Sequence, residues 1–180
     1  MIEREVKLKL KSPSLEELEK LLERRSVKLD EEVQEDIYFN YKYRDFKDSD
    51  EAVRLRKSNN EYELTYKGPK TGNYGKSREE ITVRISEKDV QNINIIMERI
   101  GLYKAFTVKK TRKNFKIDSY IISLDRVEGL GDFVEVEGQD VTESQLKDFF
   151  QKFIDDFQIK GEVTNISYLE LLLRGYDKSK

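Results

Sequence analysis

The sequence predicts an α+β fold: an eight-stranded antiparallel sheet closed into a barrel, or tunnel, with a charged interior and helices packed outside. Three observations lead there. Strand-like segments alternate apolar with charged residues, so each carries one apolar and one charged face. The intervening helices are amphipathic, and each needs an apolar sheet face to cover. Antiparallel closure would turn the charged face inward and remove exposed edges.

The first strand, Glu3-Arg4-Glu5-Val6-Lys7-Leu8-Lys9-Leu10, puts Glu3, Glu5, Lys7 and Lys9 on one face. A helix follows, with Pro13 near its start, Ser14 as its cap, Glu17 completing a capping box, and a stripe of Leu15, Leu18, Leu21 and Leu22. A second strand is expected over Val33–Phe39, with Gln34, Asp36 and Tyr38 on one face, and 44–51 reads as a loop. Val53 and Leu55 alternate with Arg54 and Arg56; Tyr62, Leu64 and Tyr66 alternate with Glu63, Thr65 and Lys67. The connection Gly68–Gly75 lacks a Walker pattern and is not a P-loop. Ile81, Val83 and Ile85 then alternate with Arg78, Glu80, Thr82 and Arg84. A second helix starts at Ser86 and ends at Gly101. Residues 106–117 and 120–126 read as a hairpin, and Phe133–Glu137 as the eighth strand. A third helix starts near Thr142, with Gln145 three residues on and a run of phenylalanines facing the core; a short last helix runs over Ser167–Arg174. No Pro-, Gly- or Ser-rich linker divides the chain, so residues 1–180 are expected to form a single domain.

Composition limits the chemistry. Charged residues make up 39% of the 180, yet 34 Lys and Arg nearly balance 36 Asp and Glu, for a net charge of −2. A protein that coats nucleic acid usually shows a basic excess, so no DNA partner is expected. With no Cys and no His, thiolate, imidazole and the usual zinc chemistry are excluded. Catalysis would rest on carboxylates, Lys, Arg, Tyr, hydroxyls and a hard metal held by oxygens. No apolar run approaches the roughly 20 residues of a membrane span, and no secretory signal precedes the first strand, so a cytoplasmic protein with no membrane partner is expected.

The charged face gathers cations at Lys7, Arg54, Arg56, Lys67, Arg78, Lys110 and Arg112, and acids at Glu3, Glu5, Glu80, Asp125, Glu135 and Glu137. The 108–116 stretch is so polar that Lys109 could take the place of Lys110. Burying an unpaired ion costs several kcal/mol, so this many charges do not make a structural core. Arg and Lys suit phosphate oxygens, and close carboxylates attract Mg²⁺ or Mn²⁺, which bridge to phosphates. A polyphosphate such as a nucleoside triphosphate answers both demands.

The ordered motifs resemble the CYTH superfamily, the triphosphate tunnel metalloenzymes, which includes class IV adenylate cyclases, thiamine triphosphatases and inorganic tripolyphosphatases. They are Glu3-x-Glu5-x-Lys7, Gln34-x-Asp36-x-Tyr38-Phe39, Arg54-Leu55-Arg56, Tyr66-Lys67-Gly68-Pro69 and Lys76-x-Arg78-Glu79-Glu80. Lys110-x-Arg112, Asp125 with Gly129-Leu130-Gly131, Phe133-Val134-Glu135-Val136-Glu137 and Ser167-Tyr168-x-Glu170-Leu171 complete the set. The resemblance implies a triphosphate held lengthwise in the tunnel by the seven cations. Glu3, Glu5, Glu135 and Glu137 would be the main Mg²⁺ or Mn²⁺ ligands, with Asp125 and Glu80 supporting. Glu3, Glu5 and Lys7 would be the catalytic set. Lys7, considered a general base in some relatives, is read here as a phosphate ligand, because nearby carboxylates favour its charged form. Many cyclase relatives carry histidines, which this chain lacks. The expected activity is metal-dependent hydrolysis of a triphosphate such as tripolyphosphate or ATP. The alternatives are a class IV cyclase making cyclic AMP and pyrophosphate, and a non-catalytic polyphosphate- or RNA-binding module using Tyr38, Tyr66 and Tyr74. A homodimer is left open.

Overall fold

Nine strands and four helices build the described chain in a computed structural model that covers residues 2–71, 76–138 and 140–177; the side chains at positions 2, 3, 76, 77, 176 and 177 are not described. In chain order these are β1 (Ile2–Ser12), α1 (Leu15–Glu23), β2 (Val27–Tyr41), β3 (Ala52–Ser58), β4 (Glu61–Lys67) and β5 (Lys76–Ile85). Then come α2 (Val90–Arg99), β6 (Leu102–Ile117), β7 (Tyr120–Val127), β8 (Gly131–Gly138), α3 (Glu143–Asp156), β9 (Lys160–Thr164) and α4 (Tyr168–Asp177).

The strands form one antiparallel sheet in the order β5-β4-β3-β2-β6-β7-β8-β1-β9. This corrects the expectation of a closed eight-stranded barrel. The sheet curls far enough for the start of β1 (Ile2–Glu5) to meet β5 over four residue pairs. From Lys7 onward, the same edge of β1 turns to a ninth strand, β9, so the sheet is not closed along its length. Gly161 permits that approach: a Cβ there would lie 2.3 Å from Leu8 Cδ2 and 2.3 Å from the Lys9 carbonyl oxygen. The Lys160–Thr164 segment contains a single apolar residue, Val163, too little alternation to announce a strand.

β2 is also longer than the predicted Val33–Phe39. Its first part pairs with β6, while β3 joins it only from Gln34 to Phe39. That opening stretch carries Val27 and Leu29 on one face, but Glu31 breaks the alternation before Val33 and four of its six residues are charged. The helix predicted from Ser86 begins as a 3₁₀ turn over Glu87–Asp89, with no side-chain cap from Ser86, before α2 proper. Gly101 ends α2 at φ 102, where a glycine is needed. The Gly72–Gly75 part of the predicted loop, with Tyr74, lies outside the described residues.

The two capping boxes are present as expected. Ser14 accepts from Glu17 N–H, and Thr142 accepts from Gln145 N–H, while Glu17 and Gln145 reach back to the cap backbones. The capped helices α1 and α3 cover the convex side of β1, β6, β7 and β8. Leu15, Leu18, Leu22, Leu146, Phe150 and Phe153 pack there against Val6, Leu8, Phe115, Ile122, Leu124, Val134 and Val136. Helix α2 covers β2–β5 with Val90, Ile93 and Met97 against Ile37, Phe39, Val53, Leu55, Leu64 and Ile85. Helix α4 does something different. Tyr168, with Leu169, Leu171 and Leu172, joins a cluster with Val108, Val127 and Phe133, and its first turn borders the concave face. No described helix is long and apolar enough to cross a membrane.

Candidate functional site

With most of the apolar strand residues committed to the convex side, strand alternation sends the charged residues to the concave side. There they line a cavity of about 540 Å³. All seven expected cations are in its wall: Lys7, Arg54, Arg56, Lys67, Arg78, Lys110 and Arg112. Of the expected acids, Glu5, Glu80, Glu135 and Glu137 line it too. The hairpin phase resolves to Lys110, which is buried; Lys109 points outward to Glu35 at 3.4 Å. Glu3 lies on β1 opposite Arg78, but its side chain is outside those described.

Asp125 is not in the cavity wall. It is fully buried behind it, and its oxygens are taken. Arg112 Nε donates to Oδ1 at 2.6 Å, Lys110 Nζ to Oδ2 at 3.2 Å and the Tyr168 hydroxyl to Oδ2 at 2.8 Å. Burial works against the charge on Asp125, but Arg112 and Lys110 overcome it and hold the carboxyl below its usual range. Asp125 therefore positions cations. Glu135 works in parallel, pairing with Lys7 at 2.8 Å and also with Arg112. Burial pushes Lys110 down to about 8, helped by the neighbouring Arg112 and opposed by Asp125. Burial, together with the Asp125 and Glu135 charges, raises Tyr168 well above the usual phenol range, so its hydroxyl stays a donor.

The neighbouring strands β2 and β3 supply a second arrangement. Arg56 holds Asp36 in a two-pronged contact, Nε to Oδ1 at 2.6 Å and Nη2 to Oδ2 at 2.7 Å. Arg54 Nη2 donates to Thr65 Oγ1 at 3.2 Å, and its Nη1 lies 4.0 Å from Asp36. Arg54 Nε is buried and, among the described residues, has no hydrogen-bond partner. An orphaned guanidinium N–H costs free energy unless something accepts from it. A third pair, Lys67 with Glu80, joins β4 to β5; burial and Arg54 lower Lys67 despite Glu80.

The register also sets two carboxylates together. Glu5 on β1 lies directly opposite Glu137 on β8, one step from the Lys7–Glu135 pair. Like charges directly opposite on neighbouring strands repel. Among the described residues no group of three or more carboxylates forms a ready metal cage. The donors still fit a hard cation of the Mg²⁺ class, which typically takes one or two protein carboxylates and completes its shell with water and substrate phosphate. Glu5 and Glu137 face one another across the β1–β8 pairing and both line the cavity, which makes them a candidate pair.

The roles of two participants escape a sequence reading. Asp36 is visible as one of three polar residues alternating on a strand and as part of a CYTH-like motif, but its pairing with Arg56 becomes apparent only from register. Tyr168 reads as packing at the start of an amphipathic helix. Nothing in the local sequence shows that its ring meets two lysines.

The family model described as "CYTH domain" matches residues 1–165. The chain belongs to the CYTH family. A Methanocaldococcus jannaschii protein named "putative adenylate cyclase" is 35% identical over 178 residues, covering 98% of this chain and 97% of the relative. A solved Pyrococcus horikoshii structure superposes with a TM-score of 0.83 at 33% identity, covering 96% of this chain and 99% of that one. A Hippeastrum protein, described as an adenylyl cyclase candidate with a dominant triphosphatase activity, superposes with a TM-score of 0.79 at 21% identity, covering 96% of each chain. At that identity the likeness is one of fold.

Proposed function

We propose that this CYTH protein is a divalent-metal-dependent triphosphatase that hydrolyses a phosphoanhydride bond of tripolyphosphate or a nucleoside triphosphate. The observation that carries the reading is the seven-cation wall, with the Arg54 Nε buried within it and unpartnered among the described residues. A phosphate oxygen would satisfy that N–H, and a chain of phosphates would match cations spread over several strands.

The binding chemistry follows from how each cation is held. Arg54 and Arg56 present planar forks from β3, with Asp36 fixing the second. Lys110 and Arg112 come from β6, the strand beside β2, and Lys7 comes from β1; Glu135 and Asp125 hold them. These pairings let the cations stay charged while buried and pre-orient them, so little ordering is left for the moment of binding. Glu5 and Glu137 would hold Mg²⁺ or Mn²⁺, with Glu3 on the same strand; when bound, the ion supplies neutralisation of the phosphate oxygens. Catalysis is then mostly positioning and charge stabilisation of the phosphoryl group in transfer. Lys7 acts as a phosphate ligand.

A second reading, cyclisation of ATP to cyclic AMP and pyrophosphate, has its own support. The cavity lining also includes the cross-strand pair Tyr38–Phe106 with Leu169, which pack on one cluster, a surface suited to a nucleobase. The name of the M. jannaschii relative points the same way. Separate incubations with tripolyphosphate and with ATP, each with Mg²⁺ or Mn²⁺, followed by phosphorus NMR, decide between them. Orthophosphate is the expected product. Cyclic AMP with pyrophosphate would replace hydrolysis with cyclisation, and tight binding without turnover would reduce the protein to a polyphosphate-binding module.

A further inference from the structure

The first turn of α4 puts one aromatic ring where three parts of the cation wall meet. The Lys7 ammonium lies 3.8 Å from the Tyr168 ring centroid, and the Lys110 ammonium lies 5.0 Å from it. The hydroxyl of the same ring donates to Asp125 at 2.8 Å. Phe133 meets the ring edge-on, centroids 4.9 Å apart at 68°, which fixes its plane. The turn itself is pinned: Ser167 Oγ accepts from Glu170 N–H, and Lys70, from the segment after β4, reaches Glu170 at 3.2 Å. Packing alone would explain a phenyl ring against Phe133. It would not explain two ammonium groups gathered on that ring, or a hydroxyl completing the shell of a buried carboxylate.

We propose that Tyr168, which lies beyond the 1–165 segment matched by the family model, is a positioning residue of the triphosphate site. It holds the ammonium groups of Lys7 and Lys110, and the Asp125 carboxylate, in the arrangement that receives phosphate. The ring gives each lysine an attractive surface other than its own carboxylate partner. The hydroxyl satisfies Asp125, so that Lys110 is drawn less tightly to it. Helix α4 is thereby a working wall of the cavity. The inference rests on the triphosphate reading above.

Calorimetric binding of inorganic tripolyphosphate to the full chain, alongside circular dichroism and thermal melts, tests it. The expected ranking is wild type tightest, Tyr168→Phe weaker by about threefold, and Tyr168→Leu weaker by about tenfold or more, since the last loses contact with two cations. Leu172→Ala serves as the control for a loosened helix. Leu172 packs on the same cluster but is absent from the cavity wall, so its loss should lower the melting temperature and leave the dissociation constant within about twofold, as for residues outside a binding hot spot. Equal affinity in wild type and Tyr168→Leu overturns the proposal, as does equal weakening by Leu172→Ala. If Tyr168→Leu fails to fold, Tyr168→Phe decides: unchanged affinity overturns the proposal. A wild type that binds neither tripolyphosphate nor ATP would instead remove the triphosphate reading, and this inference with it.

Discussion

Asp36 shows how single residues make the cavity tenable. It is almost wholly buried, yet the Arg56 fork and the nearby Arg54 hold its carboxyl far below the ordinary range despite the opposing pull of burial. A carboxyl depressed on folding stabilises fully above its unfolded pKa and loses that contribution as pH falls toward its folded one. Stability should therefore decline with acidification below about pH 4, and Asp36→Asn should flatten that decline in acid-unfolding curves followed by circular dichroism. At neutral pH the same variant should be destabilised by about 3 kcal/mol, because Arg56 is left as a buried charge without its partner. Glu5→Gln tests a different role. Turnover with Mn²⁺ should fall by about 100-fold or more while the melting temperature holds; unchanged activity would count against Glu5 as a metal ligand. At this scale the sequence was informative wherever parity decides. Lys7, Arg54, Arg56 and Glu135 sit on alternating strands, and alternation sends them inward. It was silent where the third dimension decides: Asp125 has the parity of a cavity residue but lies behind the wall, and Tyr168 reaches the site from a helix.

At the scale of elements, the caps were legible because a capping box is a four-residue local pattern, and Ser14–Glu17 and Thr142–Gln145 both spell it out. The strand β9 was not legible. Its pairing partner is β1, some 150 residues earlier, and its own five residues carry little periodicity. Gly161 gives that pairing a sharp test. Any Cβ there meets both a side chain and a backbone carbonyl of β1 well inside contact distance, and the backbone cannot yield as a flexible side chain would. Gly161→Ala should lower stability by about 1–3 kcal/mol in thermal or denaturant unfolding. Because β9 lies on the part of β1 away from β5 and lines none of the cavity, tripolyphosphate affinity should survive. Wild-type stability in this variant would mean that β9 does not dock on β1 as described.

The whole molecule resolves an apparent conflict between composition and chemistry. A net charge of −2 gives no hint of an anion site, because charge balance over the chain says nothing about its distribution. The curled sheet concentrates seven cations on its concave side, where burial strengthens their fields and their mutual repulsion alike. An anion that neutralises them should stabilise the fold in proportion to occupancy. Tripolyphosphate at about 100 times its dissociation constant should add about 2.7 kcal/mol, read as a raised melting temperature that high salt erodes. The general plan of apolar-outside, charged-inside was visible in strand alternation. The extent of closure was not, because the way β1 divides its edge between β5 and β9 depends on long-range packing. The central claim is that the concave cavity is a triphosphate site. The most direct test is a crystal structure of the protein grown with a slowly hydrolysed triphosphate and Mn²⁺. The account predicts phosphate density among Arg54, Arg56, Lys7 and Arg112, with an anomalous manganese peak beside Glu5 and Glu137. A triphosphate bound elsewhere, with the cavity holding only water at saturating ligand, would contradict it.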